Sequence, residues 1–306
     1  METLLVSSNE VSTVAEDELK PICEDHELKG KRLSTRLRNE VKEEVEILVK
    51  KYGISPKLVT IIVGDDEGSK LYVRMKHKAS NKAGILSEHY DLPESTSQKE
   101  LLELIYKLDD DKAVHGILVQ LPLPKHIDEK SIIGAINPLK DVDGFSPTNV
   151  YRLFYGGEDL SAATPHGIVR MLDRIGWNDL SGKHAVIINR STIVGKPLIM
   201  LLLNRNATVT VCHSRTKDLP SFTRQADVLV TAIGRRTSND DPFFISEDMV
   251  KEGAVVIDVA TPHGDVDFEK VKKKALCVTP VPGGVGPMTI AMLLENVTAA
   301  YKAQMV

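Results

Sequence analysis

The chain has 306 residues, 42% of them hydrophobic and 27% charged, which is enough for two domains with cores of their own and too apolar for a disordered or collagen-like chain. With 39 Lys and Arg against 43 Asp and Glu the net charge is −4, so the basic excess that general nucleic-acid binding draws on is missing. No apolar run approaches the ~20 residues that span a bilayer. Cys23, Cys212 and Cys277 make neither a Cys-x-x-Cys pair nor an even disulfide set, and the expectation is a soluble cytoplasmic protein in a reducing compartment.

Residues 1–21 carry five acids and no Arg, unlike a signal or transit peptide, and are expected to form a loosely ordered extension. An amphipathic charged helix is expected over 34–51. From Lys57 the chain alternates β-branched runs with helical patterns, the mark of a parallel sheet with crossover helices: strands over 58–63, 86–92 and 116–121, helices over 69–83 and 98–108. A helix over 164–175 precedes a second alternating series, with strands over 185–188, 208–212, 228–232, 254–259 and 276–279. The last helix, over 288–303, follows a Pro-Gly-rich turn and is expected to pack back on the first domain.

Five segments carry candidate chemistry. Tyr72 and Lys76 lie four apart and share one helix face; an amine there is a base only if burial lowers its pKa. The same Tyr-x-x-x-Lys spacing occurs in short-chain dehydrogenases, but their nucleotide-binding segment comes first, whereas here the best candidate begins more than a hundred residues later. Gln120, in Val-Gln-Leu-Pro-Leu-Pro, is a lone amide at the carboxyl end of a strand, where parallel sheets bind ligands. Lys140-Asp141-Val142-Asp143-Gly144-Phe145 holds two acids two residues apart, so an extended loop turns only one of them toward a cleft.

The fourth segment, Asn189 to Pro197, follows a strand and opens a helix, a turn in which backbone amides and the helix dipole suit a phosphate and Gly195 permits close approach. The next strand ends in His213-Ser214-Arg215 and not in the acid that an NAD site places on the ribose, which favours NADP. The fifth, residues 279–289, combines prolines and glycines into a backbone path against which a planar ligand can lie. The histidines lack metal-ligand spacing, and no metal site is assigned.

In this order the five segments resemble the bifunctional methylenetetrahydrofolate dehydrogenase/methenyltetrahydrofolate cyclohydrolase family, from about Leu28 to Lys302. The resemblance implies an α/β protein of two domains: a folate-binding catalytic domain (22–160 plus 283–306) and a Rossmann-like, doubly wound dinucleotide-binding domain (161–282), with the active site in the cleft between them. It implies that Lys76 is the cyclohydrolase lysine, Tyr72 the folate-stacking ring, Gln120 the residue tuning that lysine and Asp143 the pterin's acceptor. Leu121, Pro282 and Gly283 would border the folate. Thr164, Arg190, Ser191, Val194, Gly195, Pro197, His213, Ser214, Arg215 and Thr289 would line an NADP site. The partners implied are one-carbon derivatives of tetrahydrofolate and a second copy of the chain, as a homodimer, with neither nucleic acid nor membrane.

The chain also departs from the family pattern. Pro-Cys-Thr-Pro reads Ala162-Ala163-Thr164-Pro165, and the Gly before Arg-Ser is Asn189. Asp-Val-Gly-Ile-Asn reads Asp258-Val259-Ala260-Thr261-Pro262 with a short loop after it, while residues 235–242 are longer than usual. Two alternatives therefore stay open at this level: a dehydrogenase or cyclohydrolase with one activity, and a non-enzymatic folate- or nucleotide-binding regulator.

Overall fold

A computed structural model describes residues 23–305, so the extension expected over 1–21 lies outside the described residues. Two short strands, β1 (Cys23–Glu24) and β2 (Glu27–Leu28), pair antiparallel and lead into α1 (Gly30–Tyr52). The first βα series is β3 (Lys57–Val63), α2 (Glu67–Lys82), β4 (Leu86–Leu92), α3 (Gln98–Asp110) and β5 (Gly116–Val119). Short helices α4 (Glu129–Ala135) and α5 (Pro147–Phe154) carry the chain to α6 (Ala163–Arg174). The second series is β6 (His184–Ile188), α7 (Gly195–Leu203), β7 (Thr208–Cys212), α8 (Leu219–Thr223), β8 (Val228–Thr231), β9 (Val255–Asp258), α9 (Phe268–Val271) and β10 (Cys277–Val278), closed by α10 (Val285–Gln304).

Local chemistry accounts for the element ends. Asp66 caps α2 by accepting from the Ser69 amide at 2.7 Å, and Ser97 and Glu100 form a reciprocal capping box on α3. The first sheet is parallel in the order β4-β3-β5; β3 and β5 are buried almost throughout, and β4 is a part-exposed edge. The second has the order β1-β2-β10-β9-β8-β6-β7, parallel apart from the β1-β2 pair. Because β7 lies on one side of β6 and β8 on the other, the strand order reverses at β6, and the crevice at its carboxyl end is where such sheets take ligands.

The final helix is buried along most of its length and packs on both α1 and α6, tying the two halves together. Gly167 lets α6 approach it: a Cβ there would lie 3.0 Å from the Met288 Cβ.

Three details depart from the sequence expectations. The strand expected over 116–121 ends at Val119, leaving Gln120 and Leu121 in the following turn. Residues 23–28, grouped by sequence with the first domain, extend the second sheet through β2 beside β10. That pairing brings Cys23 and Cys277 to a Cα separation of 6.1 Å, and their sulfurs are bonded. The expectation of three unpaired cysteines is thereby corrected, and only Cys212 among them is a free thiol. Sequence spacing offered no hint, because the two partners lie 254 residues apart.

Candidate active site in the interdomain cleft

On α2, Lys76 is only 5% exposed, and its Nζ donates to Gln120 Oε1 at 3.0 Å. The Gln120 amide is oriented from its other side, since Nε2 donates to the Leu121 carbonyl at 2.8 Å and so turns the oxygen toward the lysine. Nζ also lies 5.0 Å from the centroid of the Tyr72 ring. Burial lowers the Lys76 pKa, opposed by the Asp143 charge, so the neutral amine is reached at lower pH than on a surface lysine. Tyr72 is pushed up, first by burial, with the Thr289 hydroxyl pulling the other way.

The two acids of the Asp141-Val142-Asp143 segment have separate jobs. Asp141 accepts from the Gly144 amide (3.0 Å), the Ser146 amide (2.7 Å) and Asn149 Nδ2 (2.9 Å), which makes it the organiser of the loop. Lys140 is equally committed, donating to the carbonyls of Leu108, Asp109 and Asp111. Gly144 has φ +69°, and a Cβ there would meet Leu160 O and Ser161 C at 2.7 Å, so the loop needs glycine at this point. Asp143 remains, beside Lys76. Burial raises its carboxyl to about 6; the lysine charge pulls it down and Asp141 pushes it up.

Across the cleft, Thr164 of α6 and Thr289 of α10 share a hydrogen bond at 2.9 Å. Thr289 also acts on the Tyr72 hydroxyl, so the residues assigned to folate and to cofactor are neighbours here. The sequence-assigned set Tyr72, Lys76, Gln120, Asp143, Thr164 and Thr289 forms one linked cluster.

After β6 comes the turn that opens α7. Its amides are less available than the sequence suggested: Asn189 Oδ1 accepts from Ser191 N (2.8 Å) and Gly195 N (3.1 Å), and Ser191 Oγ accepts from Val194 N (3.1 Å). The backbone oxygen of Asn189 lies so close to Gly195 that no side chain fits there. Pro197 is buried in the first turn of α7. Asn189 Nδ2 also donates to the Ala232 carbonyl at 2.7 Å, fastening the turn to the end of β8. Beyond β7, His213 and Thr216 close a tight turn that leaves Ser214 and Arg215 exposed, as is Arg190. These hydroxyls and guanidinium groups, with no acid at the strand end, suit a 2′-phosphate.

Leu121 and Pro122 line an apolar cavity of about 900 Å³ with Ser191 and Pro197 from the opposite domain. Pro282 lines a separate cavity of about 550 Å³. Gly283, with φ +111°, accepts from the Lys31 amide at 2.8 Å.

Sequence reasoning missed several supporting residues. Asp265 is fully buried and accepts from Thr231 Oγ1, Ile233 N and Gly234 N, holding the turn after β8. Asn296 of α10 reaches the carbonyls of Val142 and Ser161, both at 2.8 Å, and so pins the Asp143 loop. An Asn within the largely apolar run of α10 was the available signal.

Two family models match this chain: tetrahydrofolate dehydrogenase/cyclohydrolase, catalytic domain, over residues 28–143, and the NAD(P)-binding domain of the same family over 162–305. The chain belongs to the tetrahydrofolate dehydrogenase/cyclohydrolase family. It is similar to the bifunctional protein FolD of Moorella thermoacetica, with 54% identity covering 90% of this chain and 98% of that relative. Among solved structures, the bifunctional FolD methylenetetrahydrofolate dehydrogenase/cyclohydrolase of Campylobacter jejuni matches at TM-score 0.85 and 48% identity, covering 90% of this chain and 98% of that one. The Trypanosoma brucei FolD, solved with NADP cofactor and inhibitor, matches at TM-score 0.85 and 36% identity, covering 90% of this chain and 97% of that one. The altered loops thus sit within the family's own fold.

Proposed function

We propose that the chain oxidises 5,10-methylenetetrahydrofolate with NADP and hydrolyses the methenyl product to 10-formyltetrahydrofolate. The observation that carries this reading is the Lys76–Gln120 pair beside Asp143 and Tyr72, a buried amine, an oriented amide, a carboxylate and an aromatic face in one cleft. The intact quartet favours an enzyme over a binding protein, and the Thr164–Thr289 bond, which joins the nucleotide side to the last helix beside it, favours both activities over one.

NADP, when bound, accepts the hydride. The carbon that loses it is flanked by two nitrogens whose lone pairs stabilise the cation, so this step asks the chain mainly for alignment. Tyr72 offers its ring to the pterin, and Asp143 accepts from the pterin's donors. Hydrolysis asks for more. Neutral Lys76 takes one proton from the water that attacks the methenyl carbon; the C–N5 bond then opens as the new hydroxyl gives its proton to N5 and becomes the formyl oxygen, and the lysine releases its own proton to solvent.

The test is purified protein with methylenetetrahydrofolate and either NADP or NAD, following reduced nicotinamide and methenyl product separately. Turnover without methenyl hydrolysis would leave a dehydrogenase alone.

NADP is expected over NAD because Arg190 and Arg215 stand at the strand ends where an NAD site carries an acid. Arg190→Ala should weaken NADP about 10-fold more than NAD in fluorescence titrations, the worth of one hydrogen bond to a charged group at an exposed position. Equal losses for both nucleotides would remove Arg190 from 2′-phosphate recognition.

A homodimer goes with this reading, supported by an apolar face at α5. Val150, Tyr151, Phe154 and Tyr155 are 47–71% exposed there, with Ile193 and Leu203 close to half exposed at the ends of α7. Exposed apolar clusters of this kind mark interfaces. Phe154→Glu should turn a dimer into a monomer in sedimentation velocity; a monomeric parent protein would contradict the assignment. The net charge of −4 supports the absence of a nucleic-acid partner, and reduced folate with NADP as substrates supports a cytoplasmic setting.

A further inference from the structure

Asn296 follows Thr289 on α10 by two helical turns, so the two side chains leave the helix on the same face. From that face α10 reaches both halves of the chain. Thr289 bonds Thr164 of α6, and Asn296 Nδ2 donates to the carbonyls of Val142 and Ser161, each at 2.8 Å. Val142 immediately precedes Asp143, and Ser161 shortly precedes Thr164. One nitrogen thus holds side by side the loop assigned to the pterin and the lead-in to the helix assigned to the nucleotide.

The chemistry of the joint is specific. An amide nitrogen carries two hydrogens, and both are used here. Ser161 O receives nothing from the helix that follows, because Pro165 has no N–H, and neither carbonyl has another donor among the described residues. Asn296 is 1% exposed, so bulk water does not replace it. Beside it the two segments are already in contact, since a Cβ on Gly144 would meet Leu160 O and Ser161 C at 2.7 Å. Without the donor, two bare carbonyl oxygens would share a dry space, and the segments would separate to relieve it. The rest of α10 is fastened independently. The Tyr301 hydroxyl donates to Ile54 O (2.7 Å), and Gln304 Nε2 donates to His115 O (2.8 Å) and Leu139 O (3.1 Å), all in the first half of the chain.

We propose that Asn296 is a positioning residue for hydride transfer: it sets the separation of the Asp143 loop from the start of α6, and with it that of the folate carbon from the nicotinamide. The inference rests on the folate and NADP reading above and deepens it. Hydride transfer takes one reactant from each side of this joint. Methenyl hydrolysis draws on Lys76, Gln120, Tyr72 and Asp143, all on one side of it, and on water. Losing the joint therefore divides the two reactions in the sense opposite to losing the Lys76 amine.

The test is Asn296→Leu, close in size and without donors, in single turnovers of each half-reaction, with hydrolysis started from methenyltetrahydrofolate in the absence of nucleotide. Hydride transfer should fall about 10–100-fold, the cost of a small misplacement of the reacting atoms, with the NADP Kd unchanged and hydrolysis within about 3-fold of the parent. Asn296→Gln, which keeps both hydrogens on a longer arm, should recover part of the hydride rate. Asn296→Ser takes the place of the Leu variant if that one does not fold, and should show the same division. Gln304→Leu removes a two-carbonyl clamp of the same kind from the same helix, but one confined to the first half, and should leave both rates near those of the parent. A parallel fall of both half-reactions in Asn296→Leu, or the same division in Gln304→Leu, would make the amide a support of the fold and overturn the proposal. An unchanged hydride rate would overturn it as well, as would a raised NADP Kd with the rate in the bound state intact. A parent protein that oxidises no methylenetetrahydrofolate would overturn the folate reading, and this inference with it.

Discussion

Lys76→Met should lower methenyl hydrolysis by ~10²–10⁴-fold, the range for loss of a general acid or base, while NADP-dependent oxidation persists and methenyl product accumulates. Methionine keeps most of the bulk in a position that is 5% exposed and deletes only the amine. The two steps part company there because hydride transfer needs alignment, and hydrolysis also needs a proton acceptor. The basicity has a physical origin: burial disfavours the ammonium ion and lowers the Lys76 pKa, against the pull of Asp143. Hydrolysis in the parent protein should therefore rise with pH as the amine loses its proton, at lower pH than an exposed lysine would allow, and the oxidation step should lack that limb. Gln120→Ala should show a milder form of the same split, since its Oε1 holds Nζ at 3.0 Å but takes no proton. Single-turnover assays of each half-reaction decide the matter; retained hydrolysis in Lys76→Met would remove the lysine from the mechanism.

Asp143→Asn should raise the folate KM about 10–100-fold in both half-reactions and leave the NADP affinity unchanged. The amino and ring N–H groups of a pterin are donors; an ionised carboxylate is acceptor-only, whereas an amide turns two hydrogens toward the same space. Because burial raises the Asp143 carboxyl to about 6, the sign of the pH effect follows. Above that value the acid is ionised and accepts. As pH falls through it, the acid gains a proton, and folate binding by the parent protein should weaken. The Asn variant should lose this acidic limb and show a flat folate KM across it. A variant with normal folate binding and poor NADP binding would move Asp143 to the other side of the cleft.

Much of the α/β rhythm is local and was legible without coordinates. The β-branched runs of β3 and β7 and the spacing of apolar positions along α1 are properties of consecutive residues, and α2 brings Tyr72 and Lys76 onto one face through its own period. The cationic, hydroxyl-rich end of β7 was likewise visible as a short segment. Family motifs added roles to these positions that spacing alone did not supply.

Contacts between distant segments were not legible, because periodicity describes one element at a time and carries no information about which elements will be neighbours. Gln120 faces Lys76 across 44 residues, and Thr164 meets Thr289 across 125. The division of labour between Asp141 and Asp143 depends on which acid finds the amides of Gly144 and Ser146. The pairing of β2 with β10 moved an N-terminal hairpin into the second sheet and joined Cys23 to Cys277. The carbonyls of Val142 and Ser161 share the amide of Asn296, 154 and 135 residues away. The chain thus determined its elements and the kinds of chemical group available, and tertiary packing decided which groups are buried together, since desolvation and hydrogen bonding act between neighbours in space.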